Sequence, residues 1–420
     1  MKKIISLLFA LLLIQGFVWA ETPSTTATFA NGADVSWLTQ MEASGKKFYN
    51  AAGAQTECMS LLKSLGMNSI RLRIWVNPAA GWNNAADVLV KAKRANDLGL
   101  RLMIDFHYSD TWADPSNQTK PSAWTALSLA DLKTAVANHT TEVLTLLKNN
   151  NITPEWVQVG NETGNGMLWE TGKASVSMAN YAALNNTGYD AVKTIFPNCK
   201  VIVHLQNGYN NSSFRWIFDG LKNNGGKWDV VGMSLYPAWF TTANDWQNAN
   251  IACLANMNDM VSRYGKEVMI VECGMSWDSP TACKSFLTDI IAKTKGIASS
   301  RGLGVFYWEP QSYGQWQGYT LGAFDISGKP TVAMDAFNNL TGFENTKAEL
   351  SKFKYNRANQ IISFDNELFE LSIISINGNT LYSAKNTSSI SLNNMQQGCY
   401  IIKAKTTRQS TAQYFKFILN

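Results

Sequence analysis

Two glutamates stand where this sequence could do chemistry. Glu162 closes the stretch Trp156-Val-Gln-Val-Gly-Asn-Glu-Thr-Gly-Asn-Gly-Met-Leu-Trp169, a short apolar run that stops on an Asn-Glu pair and turns glycine-rich. Alternation puts Val157 and Val159 on one face, and Gly164 and Gly166 permit the loop that follows. Glu272 lies at the end of a second apolar run, Glu267 to Cys273. Two carboxyl groups in one pocket suit glycosidic bond cleavage without a cofactor: one protonates the leaving oxygen and the other attacks the anomeric carbon. The attacking group must stay ionised, which an arginine and a tyrosine hydroxyl favour. The acid needs a raised pKa, which the neighbouring negative charge helps to supply. Glu272 suits the first role and Glu162 the second.

Such groups must be carried to one place by the elements that bear them. Short β-rich runs alternate with longer helical stretches, the pattern of βα units around a parallel sheet. The spacing predicts strands over 32–36, 68–76, 100–106, 156–161, 200–205, 229–235, 267–273 and 303–308, with helices such as 85–98, 128–149 and 178–195 between them. Eight units in about 320 residues suit a (β/α)8 barrel, with 329–339 as its last helix. A doubly wound open sheet would need a phosphate-binding glycine fingerprint after a strand, and none is present.

In a barrel the C-terminal strand ends converge, so they form a set. Strand two carries Arg71, Arg73 and Trp75 on one parity and runs on to Asn77. Inward arginines are costly to bury without carboxylate partners, and Glu309 is a candidate partner. Strand three leads into His107, Asp110, Trp112 and Asp114. Strand four brings Asn161, strand five His204 and Asn207, strand six Tyr236, and strand eight Trp308. Aromatic faces hold sugar rings, while asparagine and histidine bind hydroxyls. His139 falls inside a helical stretch and reads as a surface residue.

The 420-residue chain separates into three parts. Lys2 and Lys3 precede the apolar run Ile4 to Val18, and Ala20 is a small residue of the kind found at signal cleavage sites, so 1–20 is expected to be a signal peptide, with the barrel over 21–344. The apolar run is shorter than a spanning helix needs, so no transmembrane segment is expected. The last seventy residues carry eight basic against three acidic side chains, a surplus equal to the whole formal charge of +5. With the bulk of the chain neutral, nothing points to a nucleic-acid partner. None of the fifteen tryptophans lies beyond Trp316, which marks a boundary near 345–355. Beyond it, 352–420 reads as a small all-β, sandwich-like module with turn signals at Asn377-Gly378 and Gln397-Gly398. The six cysteines lack metal-type spacing, and pairing of Cys273 with Cys283 or Cys253 stays open.

The motifs Arg71-Leu-Arg-Ile-Trp-Val-Asn-Pro78, Asp105-Phe-His-Tyr-Ser-Asp-Thr-Trp-Ala-Asp-Pro115, Val159-Gly-Asn-Glu162 and Tyr307-Trp-Glu-Pro310 resemble glycoside hydrolase family 53 of clan A, over about 33–340. The resemblance implies a retaining endo-β-1,4-galactanase, acting on galactan side chains of pectin, with Glu162 as acid/base and Glu272 as nucleophile. It also implies that Arg71 lies near the nucleophile, Asn161 meets the sugar 2-hydroxyl and Trp308 is a platform. His204-Leu-Gln-Asn-Gly208 departs from the His-Leu-Asp-Asn-Gly of many relatives. Some bacterial relatives hold calcium after strand seven. Here only Cys-Gly-Met-Ser-Trp-Asp-Ser-Pro follows Glu272, so no metal is expected. The tail resembles the C-terminal sorting domains of type IX secretion, implying export to the surface, periplasm or exterior of a Gram-negative bacterium; the enzyme is expected to be a monomer. A carbohydrate-binding module, another clan A endo-glycanase of mannanase or cellulase type, and a non-catalytic glycan-binding protein are the alternatives.

Overall fold

The computed structural model describes residues 28–240, 245–338, 353–356, 360–375, 380–393, 395, 398–405 and 413–419. The expected signal segment, residues 345–352 of the expected boundary and the turn signal at Asn377-Gly378 lie outside them.

Eight parallel strands close on themselves in sequence order: β1 (Ala30–Asp34), β2 (Ser69–Ile74), β3 (Arg101–Phe106), β4 (Trp156–Val159), β5 (Lys200–Leu205), β6 (Val230–Leu235), β7 (Glu267–Cys273) and β8 (Gly302–Trp308). Closure comes from β8 pairing with β1, Trp308 opposite Asp34. The helices are α1 (Leu38–Ala43), α2 (Cys58–Ser64), α3 (Ala85–Asp97), α4 (Leu129–Asn149), α5 (Met178–Ile195), α6 (Asn211–Asn223), α7 (Trp246–Tyr264) and α8 (Pro280–Lys295). Their starts are set locally. Asn84, Ser128, Ser177, Asn210 and Asp245 each accept a hydrogen bond from a backbone N–H of the first turn, and Pro280 opens α8 where no N–H is needed.

Inside the barrel, Met103, Trp156, Ile202, Val230, Met269 and Phe306 fill the lower layer. Gly32 makes room for it, because a Cβ there would lie 2.1 Å from Phe306 Cδ1. The upper layer is polar, and it is where the strand ends meet.

Three expectations need correction. The segment after β8 closes with 3-10 turns over Val332–Phe337 instead of an α-helix, its bonds running from Met334 N to Thr331 O and from Asn338 N to Asp335 O, one residue tighter than an α-turn. His139 is buried: α4 presents Leu132, Val136, His139, Val143 and Leu147 as one stripe, and the imidazole packs edge-on against Phe106, Tyr108 and Trp124. Burial pushes its pKa down to about 4, so it is neutral. Among the described residues the tail strands, β9 (Phe353–Asn356), β10 (Ile361–Ser375), β11 (Thr380–Ser391), β12 (Gly398–Lys405) and β13 (Gln413–Leu419), hydrogen-bond into a single antiparallel sheet where the sandwich-like reading expected two. The long β10 pairs with β9, β11 and β12 and gathers Ile362, Leu371, Ile373, Ile390 and Ile402 into a small core. Cys58, Cys199, Cys253, Cys273 and Cys283 are buried free thiols. No described helix is long and apolar enough to cross a membrane.

Candidate active site

Strand β4 ends at Val159 because Gly160 takes φ +81°, a left-handed backbone that L side chains resist. The strand thus ends two residues short of the 156–161 expected from sequence, and Asn161 and Glu162 stand on the loop. Glu162 itself sits at φ +48°. It lines a cavity of about 410 Å3 together with Glu272, Asn161, Tyr236, Trp239 and Trp308. One oxygen from each carboxylate lies within 4.8 Å of the other.

Around the pair, Arg71 is the hub. Its Nη1 donates to Asp34 Oδ2 at 2.7 Å and lies 2.8 Å from Glu272 Oε1, while Nη2 donates to Asp105 Oδ2 at 2.8 Å and Asn161 Oδ1 at 3.0 Å. Three carboxylates around one guanidinium hold it charged and raise its pKa despite burial. Tyr236 donates to Glu272 Oε2 at 3.2 Å. Glu162 has different company. Among the described residues its Oε1 accepts the Ser234 hydroxyl alone, at 2.7 Å, and Ser234 Oγ is 2.7 Å from His204 Nε2. His204 Nδ1 accepts the Glu162 backbone N–H at 3.3 Å and lies 2.9 Å from Gln158 Nε2 and 3.0 Å from Asn161 Oδ1; the backbone donor assigns the ring proton to Nε2, facing Ser234.

Burial pushes both carboxyls up, Glu162 to about 7 and Glu272 to about 8, with Glu162's charge adding to the rise at Glu272. That order alone would leave the last proton on Glu272. Direct contacts argue the reverse: Glu272 touches a guanidinium and a phenol, whereas Glu162 has one neutral hydroxyl. These contacts favour the charged form of Glu272 over that of Glu162.

The remaining expected residues divide by position. Trp112, Asp114, His107 and Trp308 line the cavity. Asp114 Oδ1 is taken by the Ser116 and Asn117 N–H groups. His107 is neutral, lowered by burial, with Nε2 on Asp105 and Nδ1 accepting from Trp75 and Ala113. Its ring nitrogens are thus occupied. Arg71 and His204, expected against substrate, are fully enclosed, because the polar layer beneath the pocket needs them. Asn77 and Asn207 also differ: Asn77 N and Ser122 bind Asp110 and tie two loops together, while Asn207 Oδ1 accepts from Tyr209. Asp110 instead lines an adjoining cleft of about 590 Å3 with Trp37, Trp75, Trp82 and Trp112.

Five residues of the site escaped the sequence reading. Ser234 and Gln158 sit inside apolar strands, where a polar residue at inward parity was the available signal. Asp34 faces Arg71 across the β1–β2 register. Trp37 packs against Trp308 with ring centres 5.0 Å apart, and Tyr319 against it at 4.7 Å. Nothing local marks Tyr319. Glu309, expected as a structural acid, meets Arg73 Nη1 at 3.1 Å. Glu162, His204 and Glu272 could in principle offer a cation one atom each, but both His204 nitrogens are committed, which leaves the carboxylates for acid–base work.

Residues 30–340 match the sequence profile of Glycosyl hydrolase family 53. The chain belongs to that family. It is a glycoside hydrolase. A probable arabinogalactan endo-β-1,4-galactanase A of Neosartorya fischeri is 33% identical over 306 residues, covering 66% of this chain and 83% of the relative. A structure from work on two fungal β-1,4-galactanases superposes with TM-score 0.68 at 30% identity, covering 75% of this chain and 100% of that one. The family 53 catalytic domain of Ignisphaera aggregans gives TM-score 0.68 at 29% identity, covering 75% and 97%. Residues 357–420 match a secretion system C-terminal sorting domain, which makes the family 53 hydrolase a secreted or cell-surface protein.

Proposed function

We propose that the protein is a retaining endo-β-1,4-galactanase in which Glu272 is the nucleophile and Glu162 the acid/base. The observation that carries this reading is the asymmetry of two carboxyls within 4.8 Å, one on Arg71 and Tyr236, the other, among the described residues, on Ser234 alone. Retaining enzymes place these groups about 5 to 5.5 Å apart, and inverting ones leave about 6.5 to 9.5 Å for a water. The short spacing supports double displacement.

In the first step a Glu272 oxygen bonds to the anomeric carbon as the glycosidic bond breaks, and the Glu162 proton passes to the leaving oxygen. In the second, Glu162 takes a proton from water, whose oxygen attacks the same carbon and releases Glu272. Asn161 Nδ2 spends one N–H on Ala113 O, leaving the other for a sugar hydroxyl. Trp308 offers a ring face, and Trp112, Asp114 and Asp110 line the path on either side. The galactan side chains of pectin are the proposed substrate. The N-terminal segment 1–20 and the module 352–420 would serve export from a Gram-negative cell.

The test combines a substrate panel with two variants. Unbranched β-1,4-galactan should release reducing sugar, while mannan and carboxymethylcellulose should not. Glu272→Ala should abolish turnover, and Glu162→Ala should keep cleaving an activated aryl galactoside, with azide restoring its second step. Azide rescue in the Glu272 variant instead would reverse the roles.

A further inference from the structure

At the opposite end of the barrel from the catalytic pocket lies a second cleft of about 380 Å3, framed by the segments that lead into β6 and β7 and by α5. Three aromatic rings line it: Tyr189, Trp228 and Tyr264. Trp228 and Tyr264 pack edge to face with ring centres 5.8 Å apart. Trp228 is 5% exposed, and its Nε1 has no hydrogen-bond partner among the described residues.

The same cleft carries four cations. Lys227 is matched by Asp190 at 2.8 Å and Arg263 by Asp219 at 2.6 Å. Lys222 and Lys266 have no ion-pair partner among the described residues, and Lys266 Nζ lies 5.9 Å from the Trp228 ring centre. Lys266 thus sits over a ring face, while Lys222 lines the same cleft three residues after Asp219 on α6. None of this serves the catalytic groups.

Rings bind the apolar face of a sugar, and lysines bind a carboxylate, so both chemistries together select a sugar that carries an acid. We propose that this cleft is a secondary binding site for uronic acid residues of an acidic polysaccharide. It is distinct from the pocket that cleaves the neutral chain, and it stands whether or not the catalytic assignment does. A hydrolase held by the acidic part of a polymer would act on neutral branches attached to it, by raised effective concentration and with no change at the catalytic centre.

The test titrates the full-length protein by calorimetry with a trimer of α-1,4-linked galacturonate, in parallel with the Lys222→Ala/Lys266→Ala variant and with inorganic phosphate at matched ionic strength. The proposal expects saturable binding by the wild type that weakens with added salt, and a loss of at least about tenfold in the variant. Reducing-sugar release from a soluble neutral galacto-oligosaccharide should be equal in the two proteins, which shows the variant to be folded. Absence of trimer binding, undiminished binding in the variant, or phosphate binding as tight as the trimer's would each overturn it.

Discussion

Five buried carboxyls, Asp34, Asp105, Glu162, Glu272 and Glu309, share the upper layer with the guanidiniums of Arg71 and Arg73. With more acids than cations, some protons stay bound at neutral pH. Activity needs the singly protonated form of the Glu162–Glu272 pair, so it should fall on the acid side as a second proton binds and on the alkaline side as the shared proton leaves. Ser234 tunes the second limb. Its hydroxyl favours the charged form of Glu162, so Ser234→Ala should move the alkaline limb of the kcat/KM profile upward, by up to about 1 pH unit. An unmoved limb would mean that the hydroxyl does not donate to Glu162. Stability follows the same protons. Glu162, Glu272 and Glu309 are all raised in the folded protein, which therefore holds protons that the unfolded chain has released above about pH 4.5. That stabilisation is complete below the unfolded pKa and is lost as pH rises through about 7 to 8. Glu162→Gln removes one such site. Its Tm, followed from pH 5 to 9, should vary less with pH than the wild type's, and at pH 8 its unfolding free energy should be higher by about 1 to 3 kcal/mol. A variant less stable at pH 8 would contradict the shift.

At the scale of elements, the barrel depends on β1 approaching β8 closely enough to close. Gly32→Ala would place a methyl 2.1 Å from Phe306 Cδ1, so the ring must move within a filled layer. Overpacking of this kind costs about 1 to 3 kcal/mol, and chemical denaturation should show that loss with kcat little changed. Unaltered stability would mean that Phe306 has room to turn. The strands were legible in the sequence because a parallel strand reads as a short apolar run, and Asn161-Glu162 stood out because an acid pair interrupts one. Asp34 and Ser234 were not, since their importance comes from register: Asp34 opposite Arg71, and Ser234 opposite Glu272 and beside His204. Tyr319 reaches Trp308 from a loop eleven residues on, and no period announces such a contact. His139 misled for the opposite reason. A histidine at the 3.6-residue spacing of an apolar stripe can face either way, and packing decided it.

The whole molecule joins an enzyme to a sheet with its own small core, and the chain between them decides where it can be cut. The family 53 match ends at residue 340, and the 3-10 turns before it belong to the barrel. Phe337 is buried, its carbonyl accepts from Asn31 Nδ2 at 3.4 Å, and a Cβ on Gly66 would strike that same oxygen at 2.1 Å. The tail's buried residues, such as Leu371 and Ile402, form a separate cluster. A chain ending at Lys347 keeps the whole barrel base, so its kcat/KM on soluble galactan should stay within about twofold of the full-length value, and its Tm within a few degrees. A chain ending at Pro330 should behave otherwise. Removing Met334 and Phe337, both fully buried, exposes the lower edge of α8 and costs about 3 to 5 kcal/mol for the phenylalanine alone. Circular dichroism melts of the two truncations separate the cases: a low Tm for both would make the tail part of the barrel's stability, and a low Tm for the shorter chain alone sets the domain boundary beyond Phe337.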